Sequence, residues 1–156
     1  MREIALTQGG VALVDDEDYP LLARRRWRLR RCNGKLYAVC EGAIRGQQLY
    51  MHRVVLDAPV GLDVDHRNGD GLDNQRKNLR LASRTQNLGN QVKTRGASRF
   101  KGVSPARRGR WQGHIAFERK QFNLGTFDSE EGAARAYDLK ARELFGEFAR
   151  INGVAA

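Results

Sequence analysis

Apolar residues in the first fifty positions alternate with polar ones in short bursts, the period of half-buried β-strands. Ile4 and Leu6, then Val11 to Val14, predict two strands folded about the Gly9-Gly10 turn. Asp15, Asp16, Glu17 and Asp18 form an acidic bend that opens a short helix through Leu21 and Leu22. Asn33-Gly34 then joins the runs Trp27–Cys32 and Lys35–Cys40 as a two-residue hairpin turn. In that register Cys40 faces Trp27 and Cys32 faces Lys35. One face of the hairpin, with Trp27, Leu29, Leu36, Ala38 and Cys40, reads as core. The other, with Arg28, Arg30, Tyr37 and Val39, reads as a basic face bearing an aromatic, its Arg24–Arg31 cluster either solvated or in contact with phosphates.

The pattern changes twice more along the chain. Leu49 to Leu56 is an apolar run interrupted by His52-Arg53, ended by Pro59 and Gly61. Val64-Asp65-His66 runs into Asn68-Gly69-Asp70-Gly71, which is dense turn chemistry. Asn78 to Leu81 alternates as a short strand, and Ser83 suits the N-cap of a helix carrying Gln86, Asn87, Asn90 and Gln91. Beyond a polar, non-periodic stretch, three strands are predicted at Arg99–Val103, Arg110–Phe117 and Lys120–Thr126. A helix follows, with Asp128 as N-cap and Glu131 three residues on. Its apolar stripe is Ala133, Ala134, Tyr137, Ala141, Leu144 and Phe145, and Gly146 stops it.

Composition narrows the function classes. The longest unbroken apolar run is Leu36 to Cys40, far short of the roughly 20 residues of a membrane-spanning helix. A soluble, cytoplasmic protein is therefore expected, with no membrane partner. Two cysteines, Cys32 and Cys40, are too few for a disulfide scaffold or a cysteine-based zinc site and are expected as free thiols. Twenty-eight Lys and Arg against eighteen Asp and Glu leave a net charge of +10. The excess is spread along the chain and is mostly arginine, whose planar fork pairs with phosphate or a guanine edge. A polyanionic partner, nucleic acid first, is implied.

The middle segment holds candidate chemistry. Hydrolysing a phosphodiester means activating water, offsetting charge on the phosphate in flight and stabilising a departing sugar oxygen. An imidazole such as His66 can take the proton near neutral pH. A hard divalent cation on oxygen ligands can supply the electrostatic part. An Asp-His pair and an Asn-rich loop are also what ordinary turns contain. The ordered set says more. Met51-His52-Arg53, Val64-Asp65-His66-Arg67-Asn68-Gly69-Asp70, Leu72-Asp73-Asn74, Lys77-Asn78-Leu79-Arg80 and Thr85-Gln86-Asn87 together resemble the HNH endonucleases, more narrowly their phage and intron-borne homing branch.

That resemblance covers about residues 49 to 92 and implies a ββα-metal unit, two short strands and a helix around one divalent ion. It implies His66 as general base, Asn78 as the residue that holds the loop and orients the imidazole, and Asp65 and Asn87 as metal ligands. Many relatives carry His where this chain has Asn87. Asp with Asn is an all-oxygen pair, which suits magnesium, with manganese as the alternative, rather than zinc. His52 and Arg53 are supporting residues with no role assigned. Arg53, Arg67, Arg76 and Arg80 are candidates for contacts to the DNA backbone.

A second resemblance covers about residues 98 to 153. Phe100-Lys101-Gly102-Val103, Gly109-Arg110-Trp111, Leu124-Gly125-Thr126-Phe127, Glu131, Ala133-Ala134, Ala136-Tyr137-Asp138 and Asn152 are similar to the Apetala-2/ethylene-response-factor DNA-binding domain. In that family a three-stranded sheet lies in the major groove with a helix behind it. The resemblance puts Lys101, Arg110 and Thr126 at DNA-contacting positions. Arg99 lies on the first predicted strand with them, and Arg107 and Arg108 in the connecting turn suit phosphates. Several plant base-reading positions are Ser104, Ala106, Arg108, Ala116 and Asn123 here, so the plant target does not carry over.

The expected architecture is α+β: a β-rich region 1–48 and a ββα-metal core 49–92 forming one nuclease domain 1–92. A linker 93–98 follows, then a three-stranded antiparallel sheet on one helix over 99–156. The expected function is metal-dependent hydrolysis of double-stranded DNA, probing a specific site as a homing-type nicking or cleaving enzyme, acting as a monomer or homodimer without a small-molecule cofactor. The alternative is a non-cleaving DNA-binding regulator built on a decayed nuclease.

Overall fold

A computed structural model describes residues 1–44, 46–92 and 96–154. The backbone separates into two compact units, Met1–Ser83 and Arg84–Ala156. Half of the expected linker, residues 93–95, lies outside the described residues. Strand and helix both contribute, and the chain is of the α+β class. No helix among the described residues is long and apolar enough to cross a membrane.

In the first unit, β1 (Arg2–Ala5) and β2 (Val11–Val14) form an antiparallel pair. A single helical turn, α1 (Tyr19–Leu22), follows the acidic bend. β3 (Arg28–Cys32) and β4 (Lys35–Glu41) form the hairpin across Asn33-Gly34, both of which have positive φ as a primed turn requires. Its register pairs Arg28 with Val39 and Cys32 with Lys35, as the turn chemistry demands. β5 (Gln48–Tyr50) adds to β4 and leads directly into α2 (Met51–Val55). β6 (Asp63–His66) and β7 (Leu79–Ala82) pair antiparallel, with Asp65 opposite Arg80 and His66 opposite Leu79.

These pieces share one core. Ile4, Ala12, Val14, Leu22, Trp27, Ala38, Cys40, Met51, Val55, Val64 and Leu79 are all buried in a single cluster. Trp27 satisfies its indole N–H on the Leu22 carbonyl at 2.8 Å, so a large aromatic can be buried without an orphan donor. The β-rich amino-terminal segment and the strand pair bearing Asp65-His66 are thus one hydrophobic body.

The hairpin departs from the expectation in one respect. The face with Tyr37 and Val39 is covered, not open: Val39 is fully buried and Tyr37 packs against other rings. Alternation shows which residues share a face, but here a second layer closes on the basic side as well.

The second unit opens with α3 (Arg84–Gly89). β8 (Val103–Pro105), β9 (Trp111–Phe117) and β10 (Lys120–Phe127) form an antiparallel sheet in the order β10-β9-β8. The long helix α4 (Glu130–Phe145) packs on one side. Its N-cap is Ser129, whose hydroxyl accepts from the Gly132 amide at 3.1 Å, rather than the expected Asp128. Asp128 instead pairs with Arg110 at 2.9 Å. The first strand also begins later than its alternation predicts. The Lys101 amide donates to Asn152 Oδ1 at 2.7 Å and Asn152 Nδ2 returns a bond to the Lys101 carbonyl, so this backbone is tied to the chain end instead of to a ladder. Asn152 is held in turn by buried Asp138, which accepts from its amide at 2.7 Å and its side chain at 3.0 Å.

Gly102 shows how tightly that corner is closed. Its φ is +72°, and an added Cβ would run into the Tyr137 ring and lie 2.5 Å from the His114 carbonyl oxygen. Gly102→Ala combines a left-handed backbone with overpacking, and should destabilise the second unit by about 2–4 kcal/mol. Denaturant unfolding monitored by the sheet tryptophan, Trp111, would check this; an unchanged midpoint would contradict the packing described.

Candidate active site

His66 ends β6 and is 5% exposed; Asp65 before it is 3% exposed. The segment that follows, Asn68 to Asn74, has almost no apolar content and holds its shape through hydrogen bonds. Asn78 closes it from both sides: its Oδ1 accepts from the Asn68 amide at 3.0 Å and its Nδ2 donates to the Asp73 carbonyl at 2.8 Å. Asn68 Oδ1 accepts from the Asp70 amide and Asp70 Oδ1 from the Leu72 amide, two side-chain-built turns in succession. At Gly71 a Cβ would collide with the Leu36 carbonyl and lie 2.7 Å from the Tyr37 ring, so the loop rests directly on the hairpin.

The loop is also fastened to β2. Leu13 donates to the Leu72 carbonyl at 2.9 Å and accepts from the Asn74 amide at 2.8 Å. The acidic bend completes the attachment: Asp15 accepts from the Arg76 amide at 2.8 Å, and Asp18 takes the Arg76 guanidinium through Nε at 2.9 Å and Nη2 at 2.7 Å. Arg76, a candidate for DNA, is thereby committed to the fold.

This attachment fixes Asn74, which is fully buried with its side chain against His66. Burial holds the His66 imidazole below the ordinary histidine value; the Asn74 side chain and the Asp65 charge oppose that shift. His66 is therefore neutral at pH 7 and able to accept a proton. The Asn78 side chain bonds to the loop on both sides, and the Asn74 side chain acts on the ring electrostatically. Sequence reading missed Asn74 because nothing local separates it from the other turn asparagines.

His52, on α2, is part of the same constellation. Its ring lies 5.0 Å from that of His66, edge to face, with Tyr50 at 5.3 Å and Tyr37 at 5.6 Å. It is 8% exposed and its Nδ1 is buried without a hydrogen-bond partner. Burial first, then the neighbouring His66 and Arg53, drives its pKa down to about 3. Arg53 turns the other way and braces the chain after α2, donating to the carbonyls of Ala58, Pro59 and Leu62 at 2.9, 2.8 and 2.8 Å.

Asp65 meets a cation already. Arg80, opposite it in the ladder and 8% exposed at the side chain, places Nε and Nη2 on Asp65 Oδ2, both at 2.8 Å. A buried carboxylate that holds a guanidinium is a seat for positive charge. Among the described residues no three His, Cys, Asp or Glu side chains converge as a metal cage. The donor chemistry instead fits a hydrated, oxygen-liganded ion such as magnesium, which keeps several waters and takes few protein ligands. Asn87, the other expected ligand, is half-buried on α3 in the second unit.

Residues 50–88 match the HNH endonuclease family. Across 95 residues, 60% of this chain and 78% of the relative, the sequence is 37% identical to protein 3.8 of Escherichia phage T7. It is 28% identical over 150 residues to an uncharacterized HNH endonuclease of Acanthamoeba polyphaga mimivirus, spanning 94% of this chain and 77% of that one. The chain carries an HNH endonuclease domain. It is a nuclease. A different similarity concerns part of the chain only: 47% identity over 62 residues to an AP2/ERF and B3 domain-containing protein of Oryza sativa subsp. japonica, 38% of this chain and 17% of that protein. This HNH endonuclease thus spans about a sixth of the plant protein it matches.

Of the residues expected at DNA in the second unit, Arg107 and Arg108 are exposed in the β8–β9 turn, Arg108 with φ +59°. Arg110 donates to the Thr126 carbonyl at 2.9 Å, and Thr126 is exposed. Arg99 is exposed and pairs with Glu131 at 2.8 Å. The Lys101 ammonium donates to the Gly89 carbonyl at 2.6 Å, and its burial lowers its pKa to about 8.

His52 gives this endonuclease an acid liability of defined sign. Its folded pKa of about 3 lies below the ordinary 6.5, so below pH 6.5 the unfolded chain binds the proton and the folded one does not. The stability it contributes is intact above pH 6.5 and falls by roughly 1.4 kcal/mol per pH unit as pH drops towards 3. His52→Phe should flatten the fall of Tm between pH 6.5 and pH 4.5 relative to wild type; equal slopes would refute the buried neutral ring.

Proposed function

We propose that this HNH endonuclease is a metal-dependent, site-specific DNA hydrolase of the homing type. Residues 1–92 would act as its nuclease domain, residues 93–98 as a linker and residues 99–156 as its DNA-binding domain. The observation that carries the reading is the neutral, buried His66 beside Asp65, a carboxylate already holding a cation.

His66 accepts the proton of the attacking water, a role open to it because burial keeps it uncharged at neutral pH. Asn74 fixes the imidazole's orientation, and Asn78 keeps the loop that presents Asn74 in place. Asp65 and Asn87 would hold a magnesium ion, or manganese in its place. When bound, the ion stabilises charge on the phosphate and on the departing 3′ oxygen. The products are a 3′-hydroxyl and a 5′-phosphate. Arg99, Arg107, Arg108, Arg110 and Thr126 face the DNA; Lys101 joins them there and also ties the segment before β8 to α3. The plant similarity and the +10 charge support the DNA-binding assignment.

Supercoiled plasmid carrying DNA that flanks the gene is the substrate that tests this. Magnesium-dependent conversion to open circle or linear product is expected, abolished by EDTA and by His66→Ala or Asp65→Ala while DNA binding persists. Asn74→Ala should lower the rate roughly 10- to 100-fold, the usual loss when the residue orienting a catalytic ring is removed. Wild-type cleavage by His66→Ala would refute the assignment, and tight binding with no cleavage by the wild type would replace it with a regulator.

A further inference from the structure

The sheet of the second unit has one face under α4 and one face bare. Val103, Gly113, Ile115 and Phe117 lie on the helix side: Val103 clusters with Ala133 and Ala134, a Cβ on Gly113 would lie 3.3 Å from the Ala133 carbonyl, and Phe117 packs on Phe145. Alternation then turns Gln112, His114 and Ala116 of β9 to the bare face. The register brings Thr126, Asn123 and Gln121 of β10 opposite them in that order. The irregularity between Asn123 and Gly125 restores Thr126 to this face.

The chemistry of this face is unusual for a protein so rich in arginine. It holds amides, a histidine and small residues, and no carboxylate. The arginines stand around it: Arg107, Arg108 and Arg110 at one end of the strands and Arg119 with Lys120 at the other, all exposed. A cationic rim around a polar, uncharged centre complements a duplex, with phosphates at the edges and base edges in the middle.

We propose that this face reads A·T base pairs in the major groove, with Gln112 and Gln121 as the adenine-reading residues and Ala116 against the thymine methyl. A glutamine amide matches the N6 donor and N7 acceptor of adenine, whereas guanine calls for the arginine fork that this face lacks. Ala116 is directly opposite Gln121 and exposed, so an adenine-reading amide and a methyl-sized apolar contact occur side by side. Asn123 Oδ1 accepts from the Gly125 amide at 3.0 Å, leaving its Nδ2 as a donor towards N7 or O4. Gln112 and Ala116 are separated by four residues of β9, roughly 13 Å. That distance is about four base steps, which sets the expected spacing of the two contacts.

The inference rests on the second unit's being a DNA-binding domain, and the test separates the two. The full chain, kept in EDTA to prevent cleavage, selects from randomised duplex DNA; the selected duplex is then remade with 7-deazaadenine or with uracil in place of thymine. Two A·T pairs about four steps apart are expected. 7-Deazaadenine at either should weaken wild-type binding roughly 5- to 100-fold. Gln112→Ala and Gln121→Ala, both on the bare face, should each become indifferent to the analogue at one of the two positions. Uracil should weaken the wild type and leave Ala116→Gly unaffected. Selection of G·C pairs alone, or analogue effects that persist in both glutamine variants, would overturn the A·T reading. Salt-sensitive binding without base preference would overturn it too, yet leave the DNA-binding domain standing. Binding that is indifferent to Arg107→Ala, Arg108→Ala and both glutamine variants would overturn both.

Discussion

The site of this endonuclease depends on a strand far from it in sequence. The loop from Asn68 to Asn74 has one apolar side chain, Leu72, so it cannot secure itself by burial and must be held by hydrogen bonds. β2 supplies them: Leu13 donates to Leu72 and accepts from Asn74, and Asp15 and Asp18 clasp Gln75 and Arg76 just beyond. Fixing a backbone residue costs about 1–2 kcal/mol. Each of these bonds returns about 1 kcal/mol, so no single one holds the loop. The consequence reaches the chemistry through Asn74, whose amide joins β2 while its side chain faces His66. The β-rich segment is thus part of the active-site scaffold and not an appendage to it.

The electrostatics of the site follow from two buried groups treated in opposite ways. His52 and His66 lie ring to ring without room for charge, and both are pushed towards their neutral forms. Asp65, next in sequence to His66, is instead paired with a cation, Arg80, which sits opposite it in the ladder. A buried ion pair contributes little net stability, since desolvation offsets most of the attraction. Its value here is that the carboxylate is fixed beside an imidazole that burial favours in its neutral form. A phosphodiester hydrolase needs that pairing: a neutral acceptor for the proton and an anionic seat for a cation.

What was legible in the sequence was whatever short-range chemistry decides. Asn33-Gly34 dictated the hairpin register because few turns accept two positive φ values, and the structure keeps that register. The ordered HNH motif was legible because its residue types fall in a fixed order over a short span, and residues 50–88 match that family. The misread features are those settled by distant partners. β8 starts at Val103 because Asn152, fifty-one positions away, claims the Lys101 backbone. Ser129 caps α4 because the neighbouring Asp128 is drawn to Arg110. Tyr37 looked uncovered because periodicity assigns residues to faces without saying how many faces are covered.

The division of the chain has a consequence for how the motif is maintained. The family match runs from residue 50 to 88, whereas the backbone divides between Ser83 and Arg84. The last helix of the motif, α3, therefore takes its packing from the second unit. Gly89 at its end lies so close to Phe145 that a Cβ would stand 2.6 Å from the ring, and its carbonyl accepts from the Lys101 ammonium and the Arg150 amide. A six-residue helix has no stability of its own in water, so α3 is ordered by those contacts. Asn87 inherits its position from them. Substitutions at Gly89, Lys101 or Phe145 would act on α3, although none of the three lies within the matched residues.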